Sequence, residues 1–309
     1  MAKNFWQTLN RPILAMAPLA GLTDSPFRIL VKKFGADVLY SEMASATALF
    51  YNPEETLKLL QSTKSEQPYV VQLFGSDPMH FAVAVKIIEK KIKPDGIDIN
   101  FGCPVKKVTK QGAGSALMAN LKNSRAVIEA VLKNTKLPVS IKVRTQSGKA
   151  KLKDFLKNIS DLKISALMIH GRTLQQGFNG EIDLKAIKEA RQYFSGIILA
   201  NGGINNRVDM IRVLSETGAD GVGIGRGALG HPWIFKELKN PKFKINPGQI
   251  SRLAFKHSQL MFKYKGQPGI LEMRKHLCWY VSGLAGAKKM RAQMVRVETL
   301  ADIKKVLSL

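Results

Sequence analysis

Cysteine is nearly absent: 309 residues hold only Cys103 and Cys278. Two cysteines so far apart make neither a disulfide framework nor the paired-Cys cluster of a metal site, so neither is expected, and a reducing compartment is the simplest setting. Long apolar runs are also missing. No stretch approaches the roughly 20 residues of a membrane span, so no membrane association is expected. The first residues, Met1-Ala-Lys-Asn-Phe-Trp6, lack the apolar core and cleavage site of a signal peptide. The expectation is a cytoplasmic protein acting as a monomer. Acidic residues are scarce, 23 Asp+Glu against 48 Lys+Arg, which leaves a net charge of +25. That excess points to a polyanionic partner, nucleic acid before membrane. A general Lys-rich bias is the bland alternative.

What the chain does contain is a regular alternation. Short apolar runs at 13–17, 38–41, 69–73, 96–99, 139–143, 166–169, 196–200 and 221–224 are each followed by a helical pattern. Runs of this kind, bounded by turn residues, read as buried parallel strands. Eight such units predict an α/β fold, a (β/α)8 TIM barrel; a doubly wound sheet would normally stop at about five or six strands. The Pro- and Gly-containing stretch Asn240–Gly248 breaks the pattern. Beyond it only helical spacing appears, over 249–265, 268–283 and 288–307. The expected organisation is a barrel over 1–240 and a small all-helical domain over 248–309. The latter carries 12 Lys+Arg against 3 Asp+Glu, a denser positive charge than the rest of the chain.

Active sites of such barrels lie at the carboxyl ends of the strands. Read in turn, those ends are Pro18, Glu42, Gln72, Asn100, Lys142 with Arg144, His170, Asn201 and Gly225-Arg226. A ring of hydrogen-bonding groups suits a polar ligand lying across the mouth. After strands 7 and 8, Asn201-Gly-Gly-Ile204 and Gly223-Ile-Gly-Arg226 each place glycines before a helix start. There backbone N–H groups can approach an anion, and Arg226 can add a bidentate contact. His170 and Arg172 are ambiguous between ligand contact and structural bonding. Met16–Asp24 forms a first loop of small residues on which a flat ring could lie, or simply a tight loop capped before the helix at Pro26.

Cys103 sits at the end of the fourth strand, in Asp98-Ile-Asn-Phe-Gly-Cys-Pro-Val-Lys-Lys107. A thiol with an ordinary pKa near ~8.5 is mostly protonated at neutral pH and can donate a proton unaided. A nucleophile would want a neighbouring base, and no histidine is adjacent. A small buried apolar role is the third reading; it suits Cys278, between Leu277 and Trp279.

Met16-Ala-Pro-Leu-Ala-Gly-Leu-Thr-Asp24, Val71-Gln-Leu73, Asp98–Pro104, Gly112-Ala-Gly-Ser-Ala116, Ile141-Lys-Val-Arg144, His170-Gly-Arg-Thr173, Asn201-Gly202 and Ile224-Gly-Arg226 together resemble the tRNA-dihydrouridine synthase family. Arg274-Lys-His-Leu-Cys-Trp-Tyr280 is similar to its bacterial B-type branch. The resemblance implies an FMN-bearing barrel, NADPH or NADH as reductant, a helical domain holding tRNA, and reduction of the uracil C5=C6 bond. It places FMN contacts on Pro18, Leu19, Ala20, Gln72, Lys142, His170, Asn201, Gly202, Gly203, Gly225 and Arg226. It makes Cys103 the proton donor and puts the substrate against Asn100, Lys106, Arg172, Arg274 and Lys275. Two departures stand out: Gly203 replaces the family's usual Asp after Asn-Gly, and Gln146-Ser-Gly148 follows Arg144-Thr145 where the family often has Gly and an aromatic. An rRNA substrate, a small-molecule FMN reductase of the dihydroorotate or enoate type, and a non-catalytic RNA-binding flavoprotein are the alternatives.

Overall fold

The computed structural model describes residues 4–309. Residues 1–3, with the start of the 1–240 unit and half of the Met1–Trp6 stretch, lie outside the described residues. Eight strands close into a parallel barrel: β1 (Ile13–Met16), β2 (Val38–Ser45), β3 (Tyr69–Phe74), β4 (Gly96–Asn100), β5 (Val139–Arg144), β6 (Ala166–His170), β7 (Ile197–Asn201) and β8 (Gly221–Ile224). Each pairs with the next, and β8 returns to β1 through Ile13↔Gly221 and Met16↔Ile224. The expected (β/α)8 barrel is the fold. The strands are short and apolar because both faces are covered. Ile13, Ala15, Val38, Tyr40, Val70, Met168 and Leu199 cluster together, while a larger core joins the strands to the surrounding helices.

The closing seam requires glycine. A Cβ at Gly221 would lie 2.2 Å from the Ile13 carbonyl oxygen, and one at Gly223 would lie 2.7 Å from Met168 Sδ. Any side chain there would force the seam open or displace the filling of the barrel.

Three local departures from the sequence reading have physical causes. β2 runs to Ser45 instead of ending at 41, because its register against β3 shifts between Tyr40 and Met43. The helix expected from 43 starts only at Ala46, capped by the Ser45 hydroxyl, and breaks at Asn52-Pro53. The loop after β5 folds into a small antiparallel hairpin, Gln146–Ser147 with Ala150–Lys151. Beyond the barrel, helices span Pro247–Lys265, Gln267–Tyr280, Ala287–Met294 and Leu300–Val306. The single helix read over 288–307 is therefore two. Thr299 and Asp302 form a capping box that starts a new helix there. No helix among the described residues is long and apolar enough to cross a membrane.

These C-terminal helices have their own core, built on Met261, Ile270, Met273, Leu277 and Tyr280, and it takes in Trp233 from ahead of residue 240. Several contacts fasten them to the barrel. Lys265 Nζ bridges Asp24 at 2.7 Å and Glu272 at 2.6 Å. Gly230 lies so close to Trp279 that a Cβ would meet its backbone at 2.4 Å. Phe27 packs between His257 and His276, with ring centroids 5.6 Å from each.

The two histidines are fully buried, 4.8 Å apart and edge-on. Neither ring nitrogen of His276 has a protein partner among the described residues. Burial pushes His257 down to about 3 and His276 well below its usual value, so both are neutral at pH 7. An unfolded histidine takes up a proton near pH ~6.5. Below that pH the unfolded chain binds protons that the folded chain refuses, so stability falls as pH falls, by up to about 1.4 kcal/mol per site per pH unit. Thermal melting is expected to drop by several degrees between about pH 6.5 and 5, and His276→Phe to flatten the slope. An equal slope in variant and parent would contradict this assignment.

Candidate functional site

The carboxyl ends of the strands open into a cavity of about 540 Å³, within the usual range for a small-molecule or cofactor site. Strand register decides what faces it. Asn100 lies opposite Lys142, Arg144 opposite His170, His170 opposite Asn201, and Asn201 opposite Gly223. All of Pro18, Leu19, Ala20, Gln72, Asn100, Cys103, Lys142, His170, Arg172, Asn201, Gly202, Gly203, Gly225 and Arg226 line it. Positions scattered over more than 200 residues thus meet in one wall.

Cys103 is held from two sides. Its backbone N–H and that of Gly102 both donate to Asn100 Oδ1, at 2.9 and 3.0 Å. Its carbonyl accepts from the Ser115 N–H at 3.1 Å. Gly114 lies directly beneath, with φ +60°, and a Cβ there would fall 2.9 Å from both the Cβ and the carbonyl oxygen of Cys103. The Gly-Ala-Gly-Ser-Ala stretch is therefore the floor of the cysteine loop, glycine being required by close approach and left-handed backbone alike. Burial pushes the thiol up, while the Val105 N–H, Arg144 and Lys142 pull it back. The net rise keeps Cys103 protonated at neutral pH.

Four cations surround the cavity: Lys142, Arg144, Arg172 and Arg226. No acidic side chain lines it among the described residues. The Lys142 ammonium has no hydrogen-bond partner among them, and burial, followed by the neighbouring Arg144, pushes it down to about 8. His170 is neutral. Burial first, then Lys142, Arg144, Arg172 and Arg226, push it down to about 2, so its ring can both donate and accept a hydrogen bond. Arg144 donates from Nε to the Gly102 carbonyl at 2.8 Å, and from Nη1 to the Thr173 and Gly177 carbonyls at 3.0 and 3.1 Å. It staples the cysteine loop to the loop after β6. Arg172 Nε holds the far side of that loop through the Asn179 and Gly180 carbonyls. Arg226 lies 4.4 Å over the Phe178 ring and donates to the Phe178 carbonyl.

The glycine ends of β7 and β8 have the features of an anion cradle. The N–H groups of Gly203 and Arg226 bond to nothing within the described residues. Gly202 has φ +114°, and a Cβ there would meet Ile182, His170 and Arg172 within 3.3 Å. Free donors, a path kept clear of side chains and an unopposed cluster of cations suit a phosphate-bearing ligand.

Some sequence-predicted positions lie elsewhere. Lys106 is exposed and opens a short helix, Lys106–Thr109, outside the cavity wall. Arg274 spends its Nε on the Val297 carbonyl at 2.9 Å. Lys275 donates to the Gly21 carbonyl at 2.6 Å, tying the helical region to the first loop. Glu42, expected in the polar ring, is absent from the wall. The irregular register of β2 presents Met43 instead, while Glu42 accepts from the Gly21 N–H. Phe178 and Asn205 join the wall without any sequence signal. Arg144 had one, sharing a strand face with Lys142 and Ser140 at a spacing of two.

A family model described as dihydrouridine synthase (Dus) matches residues 15–308. The "Probable tRNA-dihydrouridine synthase 1" of Synechocystis sp. is 34% identical over 310 residues, covering 97% of this chain and 86% of that protein. The "tRNA-dihydrouridine synthase B" of Pseudomonas aeruginosa is 32% identical over 297 residues, covering 92% of this chain and 88% of that protein. Among solved structures, histamine dehydrogenase from Rhizobium sp. 4-9 superposes with TM-score 0.59 at 10% identity, over 80% of this chain and 48% of that one. An old yellow enzyme homologue from Zymomonas mobilis superposes with TM-score 0.53 at 14% identity, over 76% of this chain and 90% of that one; at such identities the likeness is one of fold. With the family model spanning almost the whole chain and relatives over 30% identical across more than nine tenths of it, this chain belongs to the dihydrouridine synthase family.

Proposed function

We propose that this protein is a flavin-dependent oxidoreductase that reduces the C5=C6 bond of uridines in tRNA, with FMN in the barrel mouth and NADPH or NADH as reductant. The single observation carrying the reading is a protonated thiol, Cys103, fixed on a braced loop at the rim of a cation-lined cavity. FMN would be held by the Gly202, Gly203, Gly225 and Arg226 backbone and the Arg226 guanidinium at its phosphate, with Lys142, His170, Gln72 and the Pro18-Leu-Ala20 loop around its ring. When bound it supplies hydride, here to C6 of the base.

The chain's own part is the proton. Cys103 Sγ–H donates to C5, its bond to hydrogen breaking as the C5–H bond forms, and the sulfur keeps the electron pair as thiolate. Arg144 and Lys142, whose charges already favour that thiolate, stabilise it until a solvent proton restores the acid. A base paired or stacked in folded RNA must leave its stack to enter such a cavity. Arg172, with Asn100 behind the cysteine loop, borders the space the base would occupy.

The barrel, 1–240, is read as the cofactor and catalytic unit and the helices of 248–309 as the tRNA-holding unit. Lys288, Lys289 and Arg291 stand exposed on Ala287–Met294 and make no ion pair among the described residues. Lys106, beside the rim, and Arg274 and Lys275 are further contacts read from sequence, although the latter two also bond within the chain. Acting on tRNA, the enzyme would work in the cytoplasm.

Three outcomes test the reading. Cys103→Ala should still bind FMN and bleach with NADPH, yet lose dihydrouridine formation by about 100-fold or more, as removal of a general acid does; normal product would refute the acid role. Lys142→Met should keep the fold and cost turnover on the order of 100-fold, the scale of one missing electrostatic stabiliser, measured as single-turnover rate. Replacing Lys288, Lys289 and Arg291 by Gln should raise KM for tRNA with little change in kcat. It should also reduce the log–log salt slope by up to about 0.9 for each phosphate no longer neutralised, and an unchanged slope would remove this helix from the RNA surface.

A further inference from the structure

Beneath the cysteine loop runs a chain of buried polar groups that the proton-donor reading does not use. Ser140, Asp98 and Gln72 stand side by side on β5, β4 and β3, paired in register as Gln72↔Asp98 and Asp98↔Ser140. All three are buried, with exposures of 1% or less. Ser140 Oγ donates to Asp98 Oδ1 at 2.6 Å. Gln72 Nε2 donates to Asp98 Oδ2 at 2.7 Å, and Asn100 Nδ2 donates to Gln72 Oε1 at 2.8 Å. Asn100 Oδ1 then accepts from the N–H groups of Gly102 and Cys103.

This chain has a direction. An ionised carboxylate only accepts, so it forces Gln72 to turn its NH2 group inward and its oxygen toward Asn100. That oxygen forces the NH2 group of Asn100 inward and its oxygen toward the loop. The other end makes the same demand, since two backbone N–H groups there need an acceptor. Reversing either amide alone would set donor against donor on one side and acceptor against acceptor on the other. A buried carboxylate at one end and a tight loop at the other are thus joined by two amides with a single compatible orientation.

We infer that Asp98 is a positioning residue that acts through Gln72 and Asn100 to fix the cysteine loop, its acceptor-only character setting the polarity of the relay. Asp98 does not line the cavity. Its consequence for turnover rests on the reading of Cys103 as proton donor; its consequence for the loop does not.

Asp98→Asn removes the carboxylate's demand and leaves the loop N–H groups alone to hold the polarity, so the relay can also adopt the inverted state. Asn at 98 can donate to Gln72 Oε1, Gln72 then donates to Asn100 Oδ1, and the NH2 group of Asn100 faces the loop N–H groups. Two hydrogen bonds holding Cys103 then disappear. Adding Asn100→Asp moves the acceptor-only group to the other end, where it can accept from Gln72 and from both loop N–H groups together. The double variant should restore what the single variant destroys.

The first readout is the rate at which iodoacetamide alkylates Cys103, followed by mass spectrometry so that Cys278 is scored separately. It needs neither cofactor turnover nor RNA. Asp98→Asn should alkylate faster by about tenfold, the scale of losing the net worth of these bonds, and Asp98→Asn/Asn100→Asp should return to within a few-fold of the parent. The second readout is single-turnover reduction of tRNA, which should fall and recover in the same order. Parent-like alkylation in Asp98→Asn, or a double variant as reactive as the single one, overturns the inference. If dihydrouridine formation proves independent of Cys103 while alkylation follows the predicted order, the relay stands and the proton-donor reading falls.

Discussion

Closure of the parallel sheet is the constraint on which every other feature rests. In a parallel ladder, residues opposite one another point to the same face, so register alone decides which side chains share a layer. The seam between β8 and β1 closes only because Gly221 leaves room for the Ile13 backbone. Once it closes, Gln72, Asp98 and Ser140 fall in one interior row. Arg144, His170, Asn201 and Gly223 form a row at the mouth. The second row has somewhere to point only because the ring is complete.

The two rows have opposite electrical character. The inner one is anchored by a carboxylate that burial pushes up to about 6 against hydrogen bonds from Gln72 and Ser140. The cavity wall around the outer one is cationic, carrying Lys142, Arg144, Arg172 and Arg226 with no acid to neutralise them among the described residues. His170 stays neutral because it is buried and four positive groups surround it, and Cys103 keeps its proton because desolvation outweighs the nearby cations. A neutral thiol and an unopposed positive field thus share one cavity, and the proposed proton donation would draw on both.

Legibility varied with the range of the interactions. The eight strands were readable because buried parallel strands are apolar on both faces, and the glycines after β7 and β8 because turns of that kind admit little else. The Gly-Cys-Pro loop was readable as a loop at a strand end, and it lines the cavity, while the reason for the Gly-Ala-Gly downstream was not readable: Gly114 is needed for its contact with Cys103, a pairing that sequence order hides. Glu42 was misplaced because the register slip between Tyr40 and Met43 leaves no mark in composition. The break near Thr299 was missed because a short capped turn inside a continuous amphipathic pattern looks like helix. Phe178 gave no signal, since its place in the wall comes from Arg144 and Arg172 folding a polar loop inward.

From the order of its residues alone, this chain determined a barrel followed by helices, a thiol at one strand end, phosphate-suited glycines at two others, and a strong positive charge. Those properties are local or additive, written in runs of a few residues or in a sum over all of them. Only the tertiary structure decided the upward push that burial gives the Cys103 thiol, the neutrality of His170, the direction of the Asp98–Gln72–Asn100 relay and the commitment of Lys275 to Gly21. Each depends on burial and on partners far away in the chain, and such quantities come into existence only when the ring closes.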